Sequence, residues 1–145
     1  MITVLMGAPA AGKSTWLTAN KTGFEHIYNT EAVRKNKELD VNAYMSFVRF
    51  KAVKAAESGK DIIADGTHTF TVHRQFWLKL ADRLSLETKL VAFDTALPTL
   101  LAGNSIRQHP ATIKIIHQHN ARMKIALRAI EREPWGSIEV IRRGY

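Results

Sequence analysis

Ile2-Thr3-Val4-Leu5-Met6 runs directly into Gly7-Ala8-Pro9-Ala10-Ala11-Gly12-Lys13-Ser14-Thr15 and then into Trp16-Leu17-Thr18-Ala19. The pattern is G-x-x-x-x-G-K-[ST] between a short apolar strand and the start of a helix, the context that gives this motif its meaning. Two glycines let the backbone wrap around an anion with successive N–H groups turned inward. The helix that follows adds its N-terminal partial positive charge. Lys13 then reaches β- and γ-phosphates, and the Ser14 hydroxyl is placed to ligate Mg²⁺. The expected ligand is a nucleoside triphosphate, ATP with Mg²⁺, held by Gly7, Ala10, Ala11, Gly12, Lys13, Ser14 and Thr15. A chance glycine-rich turn is the bland alternative.

Working outward, strands and helices alternate. Phe24–Tyr28 reads as a second strand after Gly23, and Asn29 and Thr30 are N-cap types for a helical segment carrying Glu31 and Arg34. Val41, Tyr44, Met45, Val48, Ala52 and Ala55 mark one face of a helix that stops at Gly59. Asp61–Asp65 is a third strand, followed by Gly66-Thr67-His68. Thr71 is the expected cap of the next helix, whose inward face is Trp77, Leu80, Ala81 and Leu84. Lys89–Phe93 is a fourth strand, and Leu97, Leu100 and Leu101 suggest a short helix before a polar stretch, Gly103 to Pro110. A long helix then places Ile113, Ile116, Met123, Leu127 and Ile130 toward the core, and Ser137–Arg142 forms the last strand. This alternation predicts an α/β domain spanning 1–145, a parallel sheet of about five strands with helices on both faces. Ligands in such sheets bind beyond the carboxyl ends of the strands, so Lys13, Glu31, Arg34, Asp65, Asp94 and Arg107 collect on one edge.

Composition bounds the rest. The 145 residues carry a formal charge of +8 with no cysteine. Such a balance points to a polyanionic partner, nucleic acid before a basic enzyme that merely handles nucleotides. Absence of cysteine fits a reducing cytosol. No apolar run approaches the ~18 residues of a membrane span, so no membrane partner is expected. Oligomeric state is not legible.

Several side chains could carry chemistry. Glu31 and Arg34, three apart, share a helix face. The carboxylate could accept the proton of an attacking hydroxyl and the arginine could grip a phosphate of the acceptor; a solvated ion pair is the plain alternative. Asp65 closes an apolar strand where an acid binds Mg²⁺ or its waters, or caps the next helix. No second acid follows it, which favours transfer to a hydroxyl over hydrolysis. Arg107 lies in a segment, about 103–112, that could close as a lid and bring an arginine to the transferring phosphoryl group. Arg74, in the first turn of its helix, sits unfavourably near the positive dipole end, which hints at an anionic ligand rather than a stray surface charge. His117 and His119 are two apart and point to different sides of a helix, so they read as solvated histidines rather than a metal pair. Lys114, Arg122, Lys124, Arg128 and Arg132 give that helix a basic outer surface, either solvated or touching a nucleic-acid backbone.

From Ile2 to about Met123 the chain resembles the kinase domain of bacteriophage polynucleotide 5′-hydroxyl kinases, among the small P-loop kinases. The resemblance rests on Gly7 to Trp16, Asn29-Thr-Glu-Ala-Val-Arg34, Asp65-Gly-Thr67 and Gly103-Asn-Ser-Ile-Arg107. It implies a P-loop NTPase fold with a small lid and a 5′-hydroxyl of DNA or RNA as acceptor. Glu31 would be the general base, Arg34 the clamp on the acceptor's 3′ phosphate, and Arg107 the lid arginine on the ATP phosphates. Thr67 and Arg74 would be further substrate contacts. Glu31 stands where that family has aspartate, His68 where it has asparagine, and Gly103 where it often has a basic lid residue. Kinases of hydroxymethyl pyrimidines in phage DNA, small-molecule P-loop kinases and a non-catalytic nucleotide-dependent DNA-binding switch are the alternatives.

Overall fold

The computed structural model describes residues 1–20, 23–28 and 40–145, with Tyr28 and Val41 described by their backbone alone. Glu31 and Arg34, with the expected caps Asn29 and Thr30, lie outside the described residues. Five parallel strands form one sheet in the order β2-β3-β1-β4-β5: β1 (Ile2–Met6), β2 (Phe24–Tyr28), β3 (Asp61–Asp65), β4 (Thr88–Thr95) and β5 (Ser137–Arg143). The described helices are α1 (Lys13–Asn20), α2 (Val41–Glu57), α3 (Thr71–Arg83), α4 (Leu97–Ser105) and α5 (Ile113–Ala129), with a 3₁₀ turn over Ile130–Arg132. No described helix is long and apolar enough to cross a membrane.

β1 is apolar without alternation because both its faces are covered, and all five of its residues are buried. Ile2, Val4 and Met6 join a core with Tyr44, Val48 and Ala52 of α2, Trp77 and Leu80 of α3, and Met123 and Ala126 of α5. Leu5 joins the opposite core with Leu17 of α1, Phe93 of β4, Leu100 of α4 and Ile116 of α5. Burial of each such side chain contributes roughly 1.5–3 kcal/mol.

The layering positions the site. The connection leaving β1 passes through α1 on one face, and the connection leaving β3 passes through α3 on the other. β1 and β3 are neighbours, in register from Ile2↔Ile62 to Val4↔Ala64. Two adjacent strands whose outgoing chains diverge to opposite faces leave a crevice at their carboxyl ends. Residues 7–12 and 66–70 form its walls.

Four local expectations change. Thr71 does not cap α3. The cap position is Phe70, with no side-chain bond, and the Thr71 hydroxyl instead accepts from Arg74. Ile113 is 66% exposed because α5 starts clear of the sheet and turns inward only from Ile116. His119 is buried rather than solvated as expected, while His117 is exposed, the opposite sides that their spacing required. The polar stretch expected from Gly103 is shorter, since Gly103, Asn104 and Ser105 form the last turn of α4.

Candidate active site

The turn after β1 shows why its residues are needed. Gly12 has φ 111°, a left-handed conformation open to glycine at little cost. A Cβ there would also collide with the Arg143 guanidinium. Gly7 is required for another reason: its Cβ would lie 3.0 Å from Phe93 Cβ on β4. Ala10 also takes a left-handed conformation, φ 67°. The Ala11 carbonyl is fixed from two sides, by the Thr95 hydroxyl at 2.8 Å and Arg143 Nη1 at 3.1 Å. With the loop pinned, α1 begins at Lys13, and the N–H groups of its first turn have no intrahelical acceptor.

A cleft of about 410 Å³ opens above this loop. Pro9 through Thr15 form one wall, Asp65, Gly66 and Thr67 the second, and Gly103, Ile106 and Arg107 the third, with Arg143 at the rim. Of the residues predicted from sequence, Ala10, Ala11, Gly12, Lys13, Ser14, Thr15, Asp65, Thr67 and Arg107 line this one cleft. Gly7 lies at the base of the loop, where its N–H donates to the Thr67 carbonyl at 3.0 Å and ties the first two walls together. Lys13 Nζ arches back over the loop and donates to the carbonyls of Gly7 at 2.7 Å and Ala8 at 2.9 Å. Ser14 and Thr15 are exposed toward the cleft. The third wall is steadied by buried Asn104, whose side chain bonds both the carbonyl (2.8 Å) and the N–H (2.9 Å) of Ala111.

The donor set fits a triphosphate with its magnesium ion. Gly12 gives the loop its left-handed turn and Gly7 its close seat against β4, the first turn of α1 offers N–H groups, and Lys13 and Arg107 add positive charge. The Ser14 hydroxyl and the Asp65 carboxylate are the hard oxygen ligands that Mg²⁺ takes.

Arg74 requires a correction. It does not line the cleft, and its side chain is 1% exposed. Its Nε and Nη2 bind the Glu133 carboxylate, at 3.0 and 2.7 Å for the shorter contacts. Nη1 donates to the carbonyls of His68 at 3.0 Å and Thr69 at 2.9 Å. The anion sought by a cation in a first helical turn is therefore a carboxylate of the same chain, and no donor is left for a substrate. Burial alone would raise the Glu133 carboxyl. Hydrogen bonds from Arg74 and Trp135, with the Arg74 charge, outweigh it and hold the group below its usual range.

Three residues escaped the sequence reading. His68, fully buried with φ 46°, receives the Trp77 indole N–H on Nε2 at 3.1 Å and donates from Nδ1 to the Leu5 carbonyl at 2.6 Å. Both ring nitrogens are thus committed in the neutral form, and burial pushes its pKa from 6.5 down to about 3. It is a strut from β1 to α3 beneath the second wall. His26 of β2 donates from Nε2 to Asp65 Oδ2 at 3.1 Å, an orientation no local pattern announces. Arg143 ends β5, and the rule that parallel strands deliver ligand contacts from their carboxyl ends could have found it.

Comparison with known proteins follows the same lines. A family model described as an AAA domain matches residues 2–130. A chain of the Pnkp1/Rnl/Hen1 RNA repair complex superposes with a TM-score of 0.74 at 15% identity, over 88% of this chain and 45% of that one. A deoxyadenosine kinase from M. mycoides gives 0.59 at 17% identity, over 97% of this chain and 90% of that one. A sugar kinase from Janibacter sp. HTCC2649 gives 0.65 at 16% identity, over 97% and 84%. At these identities the likeness is one of fold, that of P-loop kinases. No curated protein matches the chain.

Proposed function

Because the chain belongs to the AAA domain family and has a P-loop kinase-like fold, we propose that it is a phosphotransferase moving the γ-phosphoryl group of ATP to a hydroxyl, the 5′-OH of DNA or RNA. The observation that carries this reading is the shared cleft. Triphosphate-binding groups of 7–15 face a carboxylate, Asp65, across the crevice, and Arg107 enters from the third side.

Lys13 and the first-turn N–H groups hold the β- and γ-phosphates in place, and Arg107 balances charge on the transferring group. Ser14 and Asp65 would hold Mg²⁺, which would supply further neutralisation of the phosphate oxygens. Glu31, assigned from the sequence, takes the proton of the acceptor hydroxyl as its oxygen bonds the γ-phosphorus and the bond to the β,γ-bridging oxygen breaks, releasing ADP. Arg34, assigned the same way, grips the adjoining phosphate. Support for a polynucleotide acceptor comes from the Asn29–Arg34 motif, the charge of +8, and the fold shared with a chain of an RNA repair complex. A nucleoside-sized acceptor is the second reading, favoured by the match over 90% of a deoxyadenosine kinase.

The roles separate by experiment. Glu31→Ala should abolish transfer to a 5′-OH oligonucleotide and leave ATP affinity unchanged. Arg34→Ala should raise KM for the oligonucleotide more than it lowers kcat. Loss of ATP binding in Glu31→Ala, parallel to loss of turnover, would defeat the assignment.

A further inference from the structure

The face of the molecule formed by α2 and α3, away from the cleft, holds a second group of features that phosphoryl transfer does not use. Between the helices lies a depression of about 110 Å³ lined by Arg49, Phe76, Lys79, Leu80 and Arg83. Three of its five lining residues are cations, and none of those three forms a salt bridge with a described carboxylate. Arg49 lies 5.5 Å from the Phe76 ring centroid. Next to Arg49 on α2, Phe50 is 59% exposed; Phe47, two residues before Arg49 and so on the other flank of the helix, is 52% exposed. Each ring has a lysine beside it, Lys54 at 5.6 Å from Phe50 and Lys51 at 5.7 Å from Phe47.

We infer that this α2–α3 face binds single-stranded nucleic acid, its phosphates on Arg49, Lys79 and Arg83 and a base on Phe50. A single strand carries flat, π-faced bases beside phosphates, and this surface sets an exposed ring, Phe50, next along the helix from Arg49 and the cations of the depression. The charge is complementary and the depression is concave. A lipid surface fits less well. The apolar stripe of α2 (Tyr44, Val48, Ala52, Ala55) is already buried in the core, which leaves two outward rings, too little apolar area to enter a bilayer. One ring, Phe50, suffices for one stacked base.

This surface is independent of the acceptor reading, and the test keeps them apart. A labelled single strand of about 15 nucleotides, within the usual site size, carries a 5′ phosphate so that no acceptor hydroxyl is present. Its binding is followed by fluorescence anisotropy without ATP, across a salt series. The triple variant Arg49→Ala/Lys79→Ala/Arg83→Ala should bind at least about tenfold more weakly, with the salt slope reduced by about 2, near 0.7 for each phosphate no longer neutralised. Phe50→Ala should weaken binding about fivefold or more with the slope unchanged, since stacking displaces no counterions. Unchanged ATP affinity in each variant certifies the fold. Failure of the wild type to bind the blocked strand would overturn the inference. So would a triple variant with unchanged affinity and slope, or binding by these cations to phosphatidylserine vesicles but not to the strand. Strand binding without label transfer to 5′-OH ends would remove the acceptor reading and leave this one standing.

Discussion

Two clusters of charge and hydrogen-bonding groups sit on either side of the loop 65–69, and they behave oppositely. Behind the loop, Arg74, Glu133, Trp135, His68 and Trp77 are turned toward one another. The guanidinium meets a carboxylate and two carbonyls, and the imidazole has a partner on each nitrogen. In front of it, Lys13, Ser14, Thr15, Asp65 and Arg107 face a cleft. Both clusters hold an arginine and a carboxylate near a helix N-terminus. The difference is what completes them: the rear cluster is satisfied by the chain, whereas the front one presents a loop and a helix end shaped for an anion from solution. A buried ionic network of the first kind fixes the walls against which the second kind can be preorganised.

The contrast is broken most forcefully at Arg74. Arg74→Ala leaves the half-buried Glu133 carboxylate without its cation and a void where a fully buried side chain stood, and should lower unfolding free energy by about 3 kcal/mol in urea titration, while the folded fraction keeps its ATP affinity. Unchanged stability with weakened oligonucleotide binding would return Arg74 to a substrate role. Lys13→Ala should do the reverse. Turnover should fall by about 10²–10³-fold, the loss typical of a charge-stabilising donor, and the urea midpoint should scarcely move.

Acid sharpens the same division. The neutral native state of His68 takes up no proton until about pH 3, while the unfolded chain protonates near 6.5. Stability is therefore full above 6.5 and is lost as pH falls toward 3, at up to roughly 1.4 kcal/mol per pH unit. Glu133, held low in the native state, adds a further loss only below its ordinary value of 4.5. Urea midpoints at pH 7 and pH 5 should differ in the wild type, and His68→Gln should flatten that difference. The smallest effect is expected at the rim. Arg143→Ala removes one bond to the Ala11 carbonyl and should weaken ATP binding about fivefold, near 1 kcal/mol, as isothermal titration would read.

Strand order aside, most of the architecture was legible because β1, β3 and β4 are short apolar runs bounded by glycine or acids, and the phosphate-loop motif fixes where β1 ends. Local spacing also placed the front cluster, since each residue follows the carboxyl end of a strand or lies in the polar segment after α4. What was not legible depends on contacts far along the chain. Arg74 and Glu133 are 59 residues apart, so the first-turn position showed that an anion was wanted but not that the protein supplied it. His68 looked like a substitution in a loop. Only the tertiary approach of Trp77 and the Leu5 carbonyl makes it a strut. Arg143 lay one residue past the expected end of the last strand at Arg142, so its place at the carboxyl end of β5 emerged from the register Thr95↔Arg143.

The most direct measurement follows γ-labelled ATP with Mg²⁺ and three acceptors: a 5′-OH oligonucleotide, the same strand with a 5′ phosphate, and a 5′-phosphorylated strand containing hydroxymethyluracil. The account predicts label on the first alone, lost in Lys13→Ala. Label on the third would make the enzyme a base-modifying kinase, and label on none would contradict a polynucleotide acceptor altogether.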